Sequence, residues 1–301
     1  MLKWLGALLF ATLTPMFPAA ADSSSPLLAA YYDRQMAIIG QVAYGWQGTD
    51  HPQRVHDEAV QVGVGRTSYY VLTTAGVLLK FAEASPKSRL VADGVARFAA
   101  GRTGVLAILK SGALWWFSMD GDKRKIADRV ATAAVGDSAS YYATESGALF
   151  VKGLAHRGQY GDGKLKTTDR FVQTASNVAA ITAHTGHAIL MTKSGDVLGT
   201  GGNIYGPVGR HGLGDKAVRW SKILSGATAI ATGSSHSLAI LPGAILMAWG
   251  ADYGPDPVAI MNDVAAVAAG SSSTIALKID GSLWQWDRGD KPRAVVLPDA
   301  P

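Results

Sequence analysis

The chain has 301 residues, with 35 glycines, no cysteine and a formal net charge of +5 at pH 7. The absence of cysteine excludes a disulfide framework, a thiolate metal site and a cysteine nucleophile, and the hydrophobic content of 48% indicates a packed globular protein. The net charge is too small to indicate nucleic acid as a partner, so none is expected.

The beginning of the chain has the features of an export signal. Lys3 precedes an apolar run, Trp4–Phe17, and Ala19–Ala21 provide the small residues of a cleavage site. An uncleaved anchor is the alternative, but the run contains Pro15 and is shorter than the ~18 residues of a spanning helix. The sequence therefore predicts a signal peptide over residues 1–21 and one mature domain over residues 22–301. We expect a periplasmic or secreted protein with no integral membrane segment in the mature chain.

A frame of glycines recurs along the rest of the chain. In this frame a small apolar segment, a Gly, an apolar segment, a second Gly eleven positions after the first, and a third apolar segment follow one another. The glycine pairs are Gly65 and Gly76, Gly101 and Gly112, Gly136 and Gly147, and Gly270 and Gly281, with His184 and Gly195 as a variant. A shortened version begins at Gly233, and stepping back one period of 36 residues from Gly65 places the first unit's turn at Ala29.

The repeat predicts an all-β protein. Propeller blades of four strands have roughly this length, and the segments are short, rich in β-branched and aromatic residues, and bounded by turn residues. One unit predicts strands over residues 95–100, 105–110, 113–119 and 123–127, the last being a charged outer edge strand. We predict a seven-bladed β-propeller of short four-stranded blades; six blades plus an N-terminal extension is the alternative.

Four motifs resemble those of a known repeat family. They are Gly-Gln-x-Gly-Asp-Gly at 158–163, Gly-x-Asn-x-x-Gly-x-x-Gly at 201–209, Gly-x-x-His at 233–236 and Asp-Gly-x-Leu-Trp-x-Trp at 280–286. Together they resemble the repeats of the regulator-of-chromosome-condensation family, which implies a seven-bladed propeller; the leader suggests an exported, bacterial-type member. The family's nuclear member acts on a small GTPase, which an exported chain would not meet. No small GTPase is therefore expected as a partner.

The adjacent pair His236-Ser237 raises the hypothesis of a hydrolase. A triad needs a nucleophile on an exposed turn and a base within hydrogen-bond reach. The corresponding pair one unit earlier is His187-Ala188, so the pair varies with the repeat. We interpret His236 as a packing residue that hydrogen-bonds to a neighbouring backbone group, and we predict no catalytic residue.

Two further patterns are weighed against cofactor and metal sites. Gly158–Leu165 matches a phosphate-binding loop up to Lys164, but Leu165 stands where Ser or Thr should bind magnesium. His184–His187 and His51–Glu58 offer imidazoles and carboxylates without a recognised ligand spacing. The sequence predicts no cofactor and no metal.

Equivalent turns of a propeller lie at one end of the ring, where loops on a rigid scaffold form a binding surface. The residues that follow each first glycine therefore form the predicted ligand-binding rim: Arg66, Thr67, Arg102, Thr103, Asp137, Ser138, Thr185, Ser234, Ser235, Ser271 and Ser272.

These observations favour an exported, non-enzymatic binding or scaffold protein, expected as a monomer, that presents one propeller face to a protein or polymer ligand. The alternative is an envelope-organising protein that contacts an anionic cell-surface polymer through Arg66, Arg102 and Lys123–Lys125. A hydrolase that uses the central channel is the weakest hypothesis, because the repeat frame supplies no converging carboxylates or histidines.

Overall fold

The structure is a computed structural model that describes residues 27–82, 87–210, 214–287 and 289–298. The predicted signal peptide, residues 1–21, lies outside this range. All regular structure in the described residues is β-strand, and none of them belongs to a helix that is long and apolar enough to cross a membrane.

The strands form seven sheets, and each sheet consists of four antiparallel strands that follow one another in the chain. Blade 1 contains β1 (Leu28–Tyr31), β2 (Arg34–Ile39), β3 (Val42–Gln47) and β4 (Gln53–His56); blade 2 contains β5 (Ala59–Val64), β6 (Ser68–Thr73), β7 (Leu78–Ala82) and β8 (Ser88–Ala92). Blade 3 contains β9 (Val95–Ala100), β10 (Gly104–Leu109), β11 (Leu114–Ser118) and β12 (Lys123–Ala127); blade 4 contains β13 (Val130–Val135), β14 (Ala139–Thr144), β15 (Leu149–Gly153) and β16 (Thr168–Ala175). Blade 5 contains β17 (Val178–Ala183), β18 (His187–Thr192), β19 (Val197–Gly202) and β20 (Lys216–Leu224); blade 6 contains β21 (Ala229–Thr232), β22 (His236–Leu241), β23 (Ile245–Gly250) and β24 (Gly254–Met261). Blade 7 contains β25 (Val264–Ala269), β26 (Thr274–Lys278), β27 (Leu283–Trp286) and β28 (Arg293–Ala294).

The first strand of each blade is innermost, since first strands of adjacent blades contact each other, as β13 contacts β17 and β1 contacts β25. The predicted seven-bladed propeller is confirmed, and the six-bladed alternative is wrong because β1 to β4 form a complete blade. In blade 3 the predicted first and fourth strands match the observed ones, and the two middle strands differ by one residue at each end.

Apolar side chains between neighbouring sheets form the core. Between blades 3 and 4, for example, Leu106 and Ile108 pack with Val135 and Tyr142. Blades 7 and 1 close the ring in the same way, through a cluster that includes Leu28 and Ile275. Because every blade uses four consecutive strands, no strand of the described residues is exchanged between the chain ends, and the ring closes through contacts between blades 7 and 1.

One residue of blade 7 adds a polar link to this closure. The buried amide of Gln285 accepts a hydrogen bond from Trp46 Nε1 at 2.8 Å and donates one to the carbonyl oxygen of Gly48 at 2.7 Å. The closing interface is therefore fixed by directional contacts as well as by packing.

The antiparallel order gives the propeller two distinct faces. Turns between first and second strands, and connections between third and fourth strands, lie on one face, which we call the rim face. The remaining turns lie on the opposite face. The first-to-second-strand turns are residues 32–33, 65–67, 101–103, 136–138, 184–186, 233–235 and 270–273.

The turn of blade 1 is Tyr32-Asp33, and the placement at Ala29 is wrong because Ala29 lies within β1. Ser271 N donates to the carbonyl oxygen of Tyr32 at 2.9 Å, just as Ser234 N donates to that of Gly270 at 3.1 Å. This turn has two residues, whereas the other turns have three or four, so the repeat period does not extend to it.

Candidate binding face

Hydroxyl groups join the rim turns of four consecutive blades. Ser138 Oγ donates to the carbonyl oxygen of Thr185 at 2.9 Å, the hydroxyls of Thr185 and Ser234 are 3.0 Å apart, and Ser234 Oγ lies 3.2 Å from Ser271 Oγ. The structure therefore brings these four predicted residues together in one continuous contact chain.

The other predicted rim residues differ in exposure. Asp137 is half-buried, Ser235 is buried, and the exposed residues are Arg66, Thr67, Arg102, Thr103 and Ser272. Ser235 uses its carbonyl oxygen to accept a hydrogen bond from Ala251 N at 2.9 Å. This hydrogen bond joins the rim turn of blade 6 to the connection between the third and fourth strands of the same blade.

Two tyrosines of blade 1 reach across the propeller axis. The hydroxyl of Tyr31 donates to one carboxylate oxygen of Asp137 in blade 4, and the hydroxyl of Tyr32 donates to the other at 3.1 Å. The Tyr31 ring also stacks on His184 of blade 5, with centroids 5.2 Å apart. Blades 1 and 4 stand on opposite sides of the ring, so these side chains cover the mouth of the channel on the rim face.

His184 is the buried centre of this cover. Its Nδ1 lies 2.9 Å from Thr185 Oγ1 and 3.2 Å from Ser234 Oγ, while its Nε2 is buried and has no hydrogen-bond partner among the described residues. Burial lowers the pKa of His184 to about 4, and the negative charge of Asp137 opposes this shift. The imidazole is therefore neutral at pH 7.

The phenols around Asp137 keep their protons. Burial raises the pKa of Tyr31 well above its usual range, and the hydrogen bond to Asp137 raises it further. Burial and the charge of Asp137 also raise the pKa of Tyr32, against the opposing charges of Arg102 and Arg66. Both hydroxyls are therefore donors to the Asp137 carboxylate at pH 7.

Arginine side chains surround the closed mouth. Arg66 and Arg102 are exposed, and Arg34 Nη1 donates to the carbonyl oxygen of Arg66 at 2.7 Å, which holds that turn. Arg157 crosses over blade 5, where its Cδ lies 3.2 Å from the position that a Cβ on Gly186 would take. Within the described residues, the guanidinium groups of Arg66, Arg102 and Arg157 form no ion pair. Their charge is therefore available to a ligand.

Exposed apolar and aromatic side chains accompany the arginines. Tyr32 is 41% exposed at the centre of the rim face, and Leu154, Ile204 and Tyr205 are about half exposed or more on the third-to-fourth-strand connections of blades 4 and 5. Tyr and Arg are enriched among the residues that dominate protein interfaces. Besides its small polar turn residues, the rim face therefore presents the exposed aromatic side chains of Tyr32 and Tyr205.

The histidine-serine pair joins blades. His236 Nε2 lies 3.1 Å from Thr274 Oγ1 in blade 7, and Ser237 Oγ instead lies 3.0 Å from His187 Nε2 and donates to the carbonyl oxygen of Pro207 at 2.9 Å. His236 therefore contacts a hydroxyl of the next blade, which supports the predicted packing role. His236 and Ser237 are both buried, so the pair is not an exposed nucleophile with its base.

The glycine-rich segment of blade 4 fills the space between blades 4 and 5. Tyr160 is buried and donates to the carbonyl oxygen of Gly153 at 2.7 Å, and the carbonyl oxygen of Gly158 accepts a hydrogen bond from Thr200 at 2.8 Å. A Cβ on Gly161 would stand against the Trp220 ring. The backbone that matches a phosphate-binding loop in sequence is thus packed on blade 5, and no helix follows it in the described chain.

The histidine patterns also have defined places. His184 and His187 are buried at blade interfaces, whereas His51 is exposed. Over the residues that the structure describes, no three His, Asp or Glu side chains converge on one point.

Several solved structures share the fold of this chain. No protein-family model matches the sequence, and no curated protein is found to resemble it. Prp20p of Saccharomyces cerevisiae, whose structure was described with its binding to Gsp1p and histones, is 17% identical, with a TM-score of 0.70 over 83% of this chain and 81% of its own. Yeast RCC1 (Prp20) in complex with Kap60 gives 15% identity and a TM-score of 0.72 over 84% and 79%. Human WBSCR16 gives 15% identity and a TM-score of 0.72 over 83% and 85%.

The chain therefore has the fold of the RCC1-like seven-bladed propellers, as the motif resemblance implied. At these identities the likeness concerns the fold, and the chemistry of the face depends on this chain's own residues.

Tyr31 and Tyr32 dominate the centre of the face, and neither was among the predicted rim residues. A signal was present, since an aromatic pair stands at the turn where other units have Gly followed by small polar or basic residues. The extrapolated period assigned the turn to Ala29 and so passed over them.

Proposed function

We propose that this protein is an exported binding scaffold without catalytic activity, and that its rim face holds a partner protein. The main support for this proposal is a set of arginines without ion pairs and an exposed tyrosine at the closed channel mouth. These residues are Arg66, Arg102, Arg157 and Tyr32. Guanidinium groups pair with carboxylates in bidentate fashion, so the partner presents acidic residues there. Prp20p, which shares the fold, is described as binding Gsp1p and histones.

A non-catalytic role agrees with the state of the channel. Asp137 and His184, which would be the acid and base candidates nearest the axis, are engaged with Tyr31, Thr185 and Ser234. General acid–base catalysis needs a titratable group within reach of a substrate. The tyrosine side chains at the channel mouth keep a substrate away from both Asp137 and His184.

Capture from an envelope extract tests the binding role. The double variant Arg66→Gln/Arg102→Gln should retain the partner at least about tenfold more weakly than the wild type, because interface arginines are frequent hot spots. The control is Lys110→Gln/Lys193→Gln, which removes the same charge from turns of the opposite face and should retain the partner fully. Equal losses for both double variants would contradict the rim-face assignment.

The anionic-polymer alternative draws on the same arginines, and salt separates it from a protein partner. Retention of cell-surface polymer that simply weakens as salt rises would favour the polymer. A discrete captured protein that persists at moderate salt would favour the protein.

Export is tested by the mass of the protein recovered from the cell envelope. We expect a chain that begins after Ala21, since Ala19–Ala21 form the predicted cleavage site. Recovery of the chain with residues 1–21 attached would contradict the predicted signal peptide.

A further inference from the structure

A cleft of about 220 Å³ opens between blades 3 and 4 next to the rim turns. Its main lining residues are Leu106, Trp116 and Arg124 from blade 3, with Ser140, Lys152 and Phe171 from blade 4. A cavity of roughly 150 Å³ holds a benzene molecule, so this cleft accommodates one ring or branched side chain and a small polar group. It is smaller than the roughly 300–1,000 Å³ of most small-molecule pockets.

Blade 3 lacks a segment that blades 4 and 5 possess, and the cleft lies at the interface with the following blade, where that segment would stand. The connection between third and fourth strands comprises only residues 119–122 in blade 3, against 154–167 in blade 4 and 203–215 in blade 5. The long connections insert into the interface with the following blade. Tyr160 is buried between blades 4 and 5, and the carbonyl oxygen of Pro207 in the blade 5 connection accepts hydrogen bonds from Ser237 and Trp249 of blade 6. The corresponding space after blade 3 is left open.

The interface between blades 5 and 6, which contains an inserted segment, indicates which ligand chemistry fits the open interface between blades 3 and 4. In blade 6, Ser237 Oγ donates to the carbonyl oxygen of Pro207 in the inserted segment at 2.9 Å. Ser140 holds the same repeat position in blade 4, four residues after Gly136 as Ser237 is four residues after Gly233. Ser140 lines the cleft, and its hydroxyl has no partner among the described residues. The Ser140 hydroxyl is therefore a donor that corresponds to Ser237, and no peptide carbonyl oxygen of the described residues accepts a hydrogen bond from it.

The charges of the cleft add a second requirement. Trp116 pairs in register with Leu106 on one side and Arg124 on the other, so these three side chains form a row on the sheet face that meets blade 4. Arg124 and Lys152 form no ion pair within the described chain. Asp137 is the one carboxylate in the lining, and its two oxygens are taken by tyrosine hydroxyls from the axial side. The two cations therefore remain for a ligand.

We propose that the cleft between blades 3 and 4 binds a peptide segment of the partner protein in which an apolar side chain stands next to a carboxylate. The apolar side chain packs between Trp116 and Phe171, a peptide carbonyl accepts from Ser140, and the carboxylate pairs with Arg124 and Lys152. The carboxylate is supplied either by the chain terminus of the partner or by an acidic side chain. This inference rests on the proposed binding function and names the segment that the rim face selects.

Calorimetric titration of the full chain with short peptides tests the site. The probes are acetyl-Gly-Phe with a free carboxylate, acetyl-Asp-Phe-amide, and acetyl-Gly-Phe-amide, which carries no charge. We expect saturable binding of a carboxylate peptide and at least about tenfold weaker binding of the uncharged one, since charge-assisted hydrogen bonds are the strong ones. If the peptide with the free carboxylate binds more tightly, the partner supplies its chain terminus. If the Asp peptide binds more tightly, the partner supplies an acidic side chain.

Matched variants locate the peptide. Arg124→Gln and Lys152→Gln should each weaken the carboxylate peptide about tenfold, and Ser140→Ala should weaken it roughly threefold. Lys123→Gln is the control, because Lys123 is the adjacent residue on β12 and points to the other sheet face, so affinity should not change. Thermal unfolding of each variant establishes that it is folded.

The proposal is overturned if no carboxylate peptide binds saturably, if binding survives the Arg124→Gln/Lys152→Gln double variant, or if Lys123→Gln weakens it equally. Preferential binding of a glucuronate oligomer, lost on Arg124→Gln, would overturn it in favour of a saccharide site. None of these variants touches Arg66 or Arg102. Failure of the cleft would therefore leave the capture experiment unaffected, and the two results can be told apart.

Discussion

Two buried imidazoles should make the propeller lose stability in mild acid. Burial lowers the pKa of His184 to about 4 and that of His187 to about 3, from 6.5. The electrostatic influence of the neighbouring rings of His184 and His236 lowers the pKa of His187 further. An unfolded chain binds protons on these rings below pH 6.5, whereas the folded chain does not. Their contribution to stability is therefore fully present above pH 6.5 and is lost as the pH falls towards 4 and 3.

The magnitude follows from the two shifts. Each histidine changes the free energy of unfolding by about 1.4 kcal/mol per pH unit where the unfolded form is protonated and the folded form is not. Between pH 7 and pH 5, each therefore costs about 2 kcal/mol and the pair about 4 kcal/mol. That is a large share of the roughly 5–15 kcal/mol by which domains are stable.

Urea unfolding at a series of pH values between 7 and 5 measures the effect. His187→Gln should reduce the slope of unfolding free energy against pH by about 1.4 kcal/mol per pH unit below pH 6.5, since one titrating ring is removed. Ser237→Ala is the matched comparison, because it removes the hydroxyl that contacts His187 Nε2 but leaves both rings. It should lower stability at every pH and keep the slope. A wild-type stability that is flat from pH 7 to pH 5, or an unchanged slope in His187→Gln, would refute the argument.

Two further substitutions test the architecture by urea unfolding at pH 7. Gln285→Ala should lower the free energy of unfolding by roughly 2–4 kcal/mol, because it leaves the buried Trp46 Nε1 without a partner and removes a second hydrogen bond. Gln47→Ala is the control; its hydrogen bond is exposed, so the substitution should cost under about 0.5 kcal/mol. Equal losses would show that ring closure does not depend on the Gln285 amide. Gly158→Ala should lower the free energy of unfolding by at least about 2 kcal/mol, because Gly158 has a φ of +87° and an added Cβ would stand against the carbonyl oxygen of Ala217. A loss below about 1 kcal/mol would show that the segment between blades 4 and 5 can move aside.

Sequence periodicity predicted the architecture because each blade repeats the same local chemistry. Glycines such as Gly76 and Gly112 recur where the chain turns with positive φ, at +87° and +81°, and the apolar runs between turns match strands that are buried on both sides. These requirements are local, so one sequence displays them seven times. Equivalent turns then had to meet on one face, which is why Ser138, Thr185, Ser234 and Ser271 come together.

Contacts across the ring could not be predicted in the same way. Tyr31 and Asp137 are separated by 106 positions, and their meeting depends on which blades stand opposite each other and on how far each turn leans inward. The same holds for Trp46 and Gln285, which meet only because the ring closes. Spacing in the sequence carries no record of such pairs, and the shortened turn of blade 1 removed the one positional clue.

Departures from the repeat mark the parts of the face that are free to bind. A position that obeys the frame is already occupied, as Ser237 is by the carbonyl oxygen of Pro207. Ser140 obeys the frame while the segment that would satisfy it is missing, so its donor is left over. Tyr32 likewise departs from the frame, and it alone is an exposed aromatic among the turn residues next to the axis. Because structural demands are met by the repeat itself, residues that break it are released from those demands and can respond to a partner.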